Sequence, residues 1–557
     1  MGGLKTLSLR GTSASQTKIY INGIDLNSSQ SGTVDLSLIP ASMFDNIEII
    51  RSGNSVSYGS NSIGGTVNFI SKIKTGLTAN TGFGSFGEMF FNINSGVKLD
   101  KFLIGSHIEI KSSDGDFPFK VKEFGSEKEV RRTNGDFKNL SAAVTANLSL
   151  KEHLLNMFIL ASKSDRGVPG SVVQGRIESK NANLNESFLA LFFNSDLFLN
   201  DNNFKNTLSV KTNKFNYSDD EQIGIDGSKL NTEFNNFDIK FSTAYRFDWF
   251  FNQNVKIDLS YSTLNGNMLD ETAGKSVDRK NLSFSYNLEK LFEVTETDNV
   301  IFNGGIRADI IDNFRPGYSP FLGLMLNISS LSAVLKANYS GNYRLPSFNE
   351  MYYLNYGTSN LKPEESNTFN TGIIFNPSDF LSIDLNAYYI NTKEQIQAVP
   401  VSPVRWSARN IGKVETYGFD FTAKLNINKS ISADINYTWQ SAKDKTEKSP
   451  FYDKFIAYIP QETFNAFLFL NYENIELVIS GNYSSFRYSL ADNQVSSILD
   501  KYLTINISLS YKIKFDNNIL KFNFDVKNLF DSEYQIIKNY PMPGRFFRFG
   551  VGYRFFD

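Results

Sequence analysis

The sequence predicts an all-β transmembrane barrel of about 22 antiparallel strands, with a small N-terminal unit of mixed α/β character. Three observations predict it. Aromatic residues are abundant, 50 Phe and 26 Tyr among 557 residues, or 14% with Trp included. That content suits an apolar outer belt with aromatic girdles at two membrane interfaces. No run of about 18 apolar residues occurs, which excludes helical membrane spans. Apolar and polar residues instead alternate with period two through most of the chain, so each segment presents one apolar and one wet face.

The alternation is explicit in several segments. Val255, Ile257, Leu259 and Tyr261 alternate with Lys256, Asp258, Ser260 and Ser262. Leu503, Ile505, Ile507, Leu509 and Tyr511 repeat the scheme, as do Ile431, Ala433, Ile435, Tyr437 and Trp439. A soluble β-sandwich has the same local pattern. Persistence to the C-terminus, with no second layer of helices, favours strands of about 9–11 residues crossing a membrane. Connections alternate between tight turns, such as Asn428-Lys429 and the one around Pro377, and long polar stretches at Ser112–Asn139, Asp165–Asn185 and Tyr488–Lys501. Short turns belong on the inner side of such a barrel and long loops on the outer side.

The chain changes character between Ser71 and Gly76, which sets domain bounds of 1–75 and 76–557. Ahead of that point, Gly, Ser and Asn punctuate short strands expected at Lys18–Ile21, Ile47–Arg51 and Thr66–Ser71. Asn22-Gly23 is a hairpin signal. Gly59, Gly64 and Gly65 permit positive φ and a close approach of this unit to a barrel wall.

Composition excludes several chemistries. Cysteine is absent, so no disulfide, thiolate metal site or Cys nucleophile exists. His107 and His153 are the sole imidazoles, and both sit in strand-like segments. A formal charge of −2 makes no case for nucleic acid or for a strongly anionic ligand. Asp114 and Asp116 are too few for a calcium cage of 6–8 oxygens, so no metal or cofactor is expected.

Four stretches resemble TonB-dependent receptors, most closely the vitamin B12 (cobalamin) receptor family. The first is LSLRGTSAS, IYINGIDLN, VDLSLIP and DNIEIIRSGNSVSYGSNSIGGTVNFISK, within Leu7–Lys72. It matches the plug domain, with Arg51, Gly53, Tyr58, Gly59, Ile63, Gly64 and Gly65 in the family's pattern. The second is the mid-barrel signature, Arg344, Pro346, Asn349 and Glu350 followed by Asn360, Leu361, Lys362, Pro363 and Glu364. The third is NIGKVETYGFDFTAKL, Asn410–Leu425, and the fourth is the C-terminus from Asp525. There Phe547, Phe549, Val551, Tyr553 and Phe555 resemble the signal read by the barrel-insertion machinery, although Phe556 and Asp557 run past the usual terminal aromatic.

The resemblance implies a plug folded inside the lumen and active uptake across the outer membrane of a Gram-negative-type bacterium. It implies a monomer, with energy from the TonB–ExbB–ExbD complex. The sequence shows neither a signal peptide nor the family's N-terminal TonB box, so the natural chain is expected to begin upstream. Cobalamin is the expected cargo and a ferric siderophore the alternative. Haem is disfavoured because the Tyr343–Glu364 region contains no axial His.

Ligand contacts are expected from the plug loop Asn27, Ser28, Ser29, Gln30, Ser31 and Gly32, whose small polar side chains and amides suit a large neutral amide-rich ligand. Gly2-Gly3 is read as a remnant of the neighbouring apical loop. Tyr352, Tyr353 and Tyr356 are weaker candidates for stacking against the ligand. An outer-membrane enzyme would need an imidazole base in a catalytic setting, which neither histidine has. A passive porin or adhesin would need an unblocked bore.

Overall fold

A computed structural model describes residues 3–123, 126–173, 176–177, 179–200, 202–223, 229–402 and 405–555. Met1, Gly2, Phe556 and Asp557 lie outside the described residues. The N-terminal unit contains four strands: β1 (Thr17–Ile21), β2 (Ile24–Asp25), β3 (Asn46–Ile50) and β4 (Gly65–Ile70). They form one sheet in the order β2-β1-β4-β3, with β1 and β4 parallel. Asn22 and Gly23 both take positive φ, 50° and 80°, and turn β1 into β2 as a tight hairpin. One helical turn, α1 (Ser55–Tyr58), is capped by the Asn54 side chain and ends at Gly59, φ 80°. The three strands with expected positions, β1, β3 and β4, each lie within one residue of them.

Residues 76–555 supply a closed antiparallel barrel of 22 strands among the described residues. The last strand, Phe546–Phe555, pairs with the first, Gly76–Gly84, from Arg548↔Gly84 to Phe555↔Leu77, which removes both sheet edges. Turns at the end where the barrel begins and finishes are short, as at 100–101, 249–251, 473–474 and 516–517. Connections at the opposite end include 114–136, 168–182, 345–363, 445–461, 485–501 and 528–545. The loops expected to be outer all fall at that end.

The alternation has the predicted polarity. Ile257, Leu259 and Tyr261 are 38%, 49% and 37% exposed on the outside, while Asp258 between them is 2% exposed in the lumen. Phe547, Phe549 and Phe555 likewise face outward. One sector departs from the rule of one apolar and one wet face. On strands His153–Gly167 and Asn183–Leu199, Phe158, Leu160, Ala190 and Phe192 are apolar and buried in the lumen, while Leu191 and Phe193 point outward. The cause is the N-terminal unit. Ile19, Ile21, Ile24, Leu26, Ile39, Met43 and Val67 form one core with these wall residues. A four-stranded sheet this short has no second layer of its own, so it completes its core on the barrel.

The rest of the contact is polar. Arg10 pairs with Asp420 at 3.0 Å and also donates to Asn370. Arg166 reaches Asp35 of the plug at 2.7 Å and Glu186 of the wall at 2.6 Å. Close approach to the wall is made by Gly53, where an added Cβ would lie 2.3 Å from the Asn342 amide. At Gly64, expected in that role, the near neighbour is instead the plug's own Thr12, 2.1 Å from an added Cβ.

Candidate ligand cavity beneath the outer loops

The mid-barrel signature forms a buried lock that seats an outer loop on the plug. Arg344 and Glu364 are both 0% exposed and pair at 2.7 Å. Arg344 also donates to both oxygens of Glu350, at 3.1 and 3.0 Å. Glu364 further accepts from the Ile396 amide at 2.8 Å and from Gln16 of the plug at 2.7 Å. A short helix, α2 (Phe348–Tyr352), starts at Ser347 with a reciprocal capping box to Glu350. Its first amides would otherwise lack partners. Phe348 donates to the Ser29 carbonyl at 3.0 Å and Asn349 to the Gln30 carbonyl at 2.8 Å. The outer loop is thereby hydrogen-bonded to the plug apex.

This seating decides the fate of the six apical loop residues. Asn27 is structural: its Oδ1 accepts from the Ile19 amide at 2.8 Å and its Nδ2 donates to the carbonyls of Thr17 and Gly32. Ser29 donates to Asn236 of the wall at 2.7 Å. Gly32, φ 75°, is buried near Ser15 and Ser347. Ser28, Gln30 and Ser31 remain, and these three line a cavity of about 300 Å³ that opens beneath the outer loops. Tyr353 lines it too. Tyr352 and Tyr356 instead pack against a small core of Met351, Leu361, Ile396 and Ala408. The described Gly3 does not line this cavity, whereas Leu4 beside it does.

Asn27→Ala should free the loop, because three buried hydrogen bonds are lost at about 0.5–1.5 kcal/mol each. Amide exchange at residues 28–33 is expected to accelerate well beyond that of β1. Unchanged protection would show that the side chain does not hold the loop.

The wall side of the cavity comes from strands Asn202–Ile223 and Lys229–Asp248, through Asn213, Phe215, Tyr217, Thr232 and Phe234. None of these was singled out in the sequence, yet a signal existed. Phe234 falls in phase with Thr232, Asn236 and Asp238 on the lumen side, out of step with Phe237 and Phe241 on the lipid side. An aromatic in the polar phase marks a surface that touches something other than water. Phe234 is 0% exposed, with Tyr353 5.6 Å and Phe215 6.4 Å from it between ring centroids. Three residues that line the cavity carry a buried oxygen with no hydrogen-bond partner among the described residues: Asn213 Oδ1, Thr232 Oγ1 and Asn349 Oδ1.

Charge lies beneath. Lys18 and Asp25 of the plug pair at 2.7 Å. Burial alone would raise the Asp25 carboxyl, but Lys18, Lys211 and Lys240 together outweigh it and hold it at about 2. His107 is bonded to Asn94 at 2.7 Å and His153 to the Ser195 hydroxyl at 3.1 Å. Among the described residues no cluster of three His, Asp or Glu side chains is placed to hold a metal ion.

Residues 121–529 match the family described as TonB dependent receptor-like, beta-barrel. The chain belongs to the TonB-dependent receptor family. Residues 1–66 match the TonB-dependent receptor plug domain, the unit found here inside the bore. Among curated receptors, the chain is 24% identical over 580 residues to the vitamin B12 transporter BtuB of Vibrio vulnificus, covering 100% of this chain and 86% of the relative. It is 23% identical over 558 residues to that of Photobacterium profundum, covering 98% and 86%. Solved structures share the fold at lower identity. The copper transporter OprC superposes with a TM-score of 0.79 at 14% identity, over 100% of this chain and 92% of that one. The siderophore receptor PirA of Acinetobacter baumannii does so with 0.76 at 16%, over 98% and 92%.

Proposed function

We propose that this receptor takes up cobalamin across an outer membrane, as a monomer powered by TonB with ExbB and ExbD, and that the cavity under the outer loops is where cargo first rests. The observation that carries the cobalamin reading is the set of partnerless oxygens at Asn213, Thr232 and Asn349 beside the polar plug residues Ser28, Gln30 and Ser31. Buried acceptors left unpaired cost about 1–3 kcal/mol each, and a ligand whose periphery carries primary amides supplies the missing donors. The corrin ring of cobalamin carries such amides. Phe215, Phe234 and Tyr353 offer apolar and aromatic surface to the same ligand. A cavity of about 300 Å³ encloses part of so large a molecule, and the long outer loops surround the rest.

The test is cyanocobalamin titration of the purified protein. Binding at or below micromolar concentration is expected, and Asn213→Ala with Thr232→Val should weaken it about ten- to hundredfold, at about 1.4 kcal/mol per tenfold. Failure to bind at micromolar cyanocobalamin removes the cobalamin reading and leaves the family assignment standing. A ferric siderophore is the second reading, favoured by Lys211, a buried cation at the cavity floor. Ferric enterobactin is the matching probe.

A further inference from the structure

Below the first cavity lie two more, and together they run along one side of the plug. The middle one, about 130 Å³, shares Ser28, Lys211 and Asp238 with the cavity above it. The lowest, about 1000 Å³, shares Asp25, Ser209 and Lys240 with the middle one and reaches Asn252, Leu288 and Asn303 near the short-turn end. All three lie against the wall strands between Asn202 and Ile311, the upper one also touching Arg166, Leu184 and Phe188 and the lowest Asp196, Phe198 and Phe321. The apolar seam that fuses plug and barrel, on strands His153–Gly167 and Asn183–Leu199, lies to one side of this line of cavities. The plug is thus seated on a dry side and beside a wet one, and the wet side narrows to the middle cavity.

Charge at the narrowing is lopsided. Lys18 is matched by Asp25, and Asp258 takes Arg307 at 2.8 Å together with Lys240 at 3.6 Å and Lys256 at 3.2 Å. Lys211 and Arg279 have no carboxylate within 4 Å among the described residues, and with Asp238 counted, five cations line the cavity (Lys18, Lys211, Lys240, Arg279, Arg307) against three carboxylates (Asp25, Asp238, Asp258). Lys211 is 7% exposed and donates to the Asn27 backbone carbonyl at 2.8 Å. The Arg279 guanidinium sits over the rings of Phe348 and Phe314, 4.8 and 5.4 Å from their centroids, with the sulfur of Met351 at 3.6 Å. An excess of positive charge in so confined a space favours an anion, and the whole-chain charge of −2 conceals this local excess.

We propose that the middle cavity is an anion station on the transport route, where Lys211 and Arg279 hold a negatively charged group of the cargo after it leaves the outer cavity. This rests on the uptake reading above. A space of about 130 Å³ admits a phosphate- or catecholate-sized group and not a whole chelate, so the station grips one charged group while the plug yields around the remainder. The carried group is the phosphodiester of cobalamin or a catecholate of a ferric siderophore, which share this chemistry.

Crystals of the intact protein soaked in sodium bromide should show anomalous density in the middle cavity beside Lys211 Nζ or the Arg279 guanidinium, lost in Lys211→Gln/Arg279→Gln protein. A cavity free of bromide overturns the station. In energised cells, uptake divided by surface binding should fall about tenfold for Arg279→Gln, equivalent to about 1.4 kcal/mol, and return with Arg279→Lys. The effect appears with cyanocobalamin if the group is a phosphodiester and with ferric enterobactin if it is a catecholate. An unchanged ratio for whichever probe binds overturns the transit role and leaves the uptake reading intact. Surface binding of neither probe overturns the uptake reading, and bromide occupancy then decides the cavity alone.

Discussion

Deleting residues 1–72 is expected to turn a sealed barrel into an open pore, read as a large ohmic conductance in a planar bilayer where the intact protein passes almost no current. A 22-stranded wall encloses a bore far wider than its own side chains fill. The plug occupies it through the shared core around Ile19, Ile21, Phe158 and Phe192 and through polar links from Arg10, Gln16, Ser29 and Asp35. The wall strands pair with each other along their length, independent of the plug. Deletion therefore removes the stopper and leaves the ladder. Equal conductance before and after deletion would mean that the head does not close the bore.

The second large effect is expected at Arg344. Replacing it by Leu leaves Glu364 buried with Gln16 and the Ile396 amide as its remaining donors, and strands Glu350 at the start of α2. Removing one partner of a buried pair costs about 3–5 kcal/mol. The denaturation midpoint in detergent should fall accordingly, and amide exchange should accelerate at 345–363 and at Ser29–Gln30 together, because the two segments are hydrogen-bonded to each other. Arg344→Leu with Glu364→Leu should recover part of the loss, since the fully buried carboxylate goes with its partner and only Glu350, bonded to the Ser347 amide, keeps its charge. A single substitution costing under about 1 kcal/mol, the value of a surface pair, would show that the lock is not buried as described.

The candidate site was half legible. The plug loop Asn27–Gly32 and Tyr353 are where the sequence pointed, and Ser28, Gln30 and Ser31 do line the cavity. Asn27 and Gly32 carry the same small, polar character for another reason, which is to close the turn. Tyr352 and Tyr356 could not be told from Tyr353 by type or spacing; α2 turns them toward Met351 and Leu361. The wall residues Asn213 and Thr232 went unnoticed because a polar residue in the lumen phase of a strand is ordinary. Among the residues of this cavity, Phe234 and Phe215 break the phase.

The sequence by itself determined the barrel, the approximate number and the phase of its strands, the side on which the long loops emerge and the existence of a separate head. Each of these follows from a local period of two and from turn chemistry, which neighbouring residues set between themselves. Tertiary structure alone decided which lumen residues are dry, which outer loop locks onto the plug and where space remains between them. Those depend on pairs such as Gln16 with Glu364 and Arg10 with Asp420, 348 and 410 positions apart. A single strand's rhythm says that a side chain faces inward, and only the closed barrel says what it meets there.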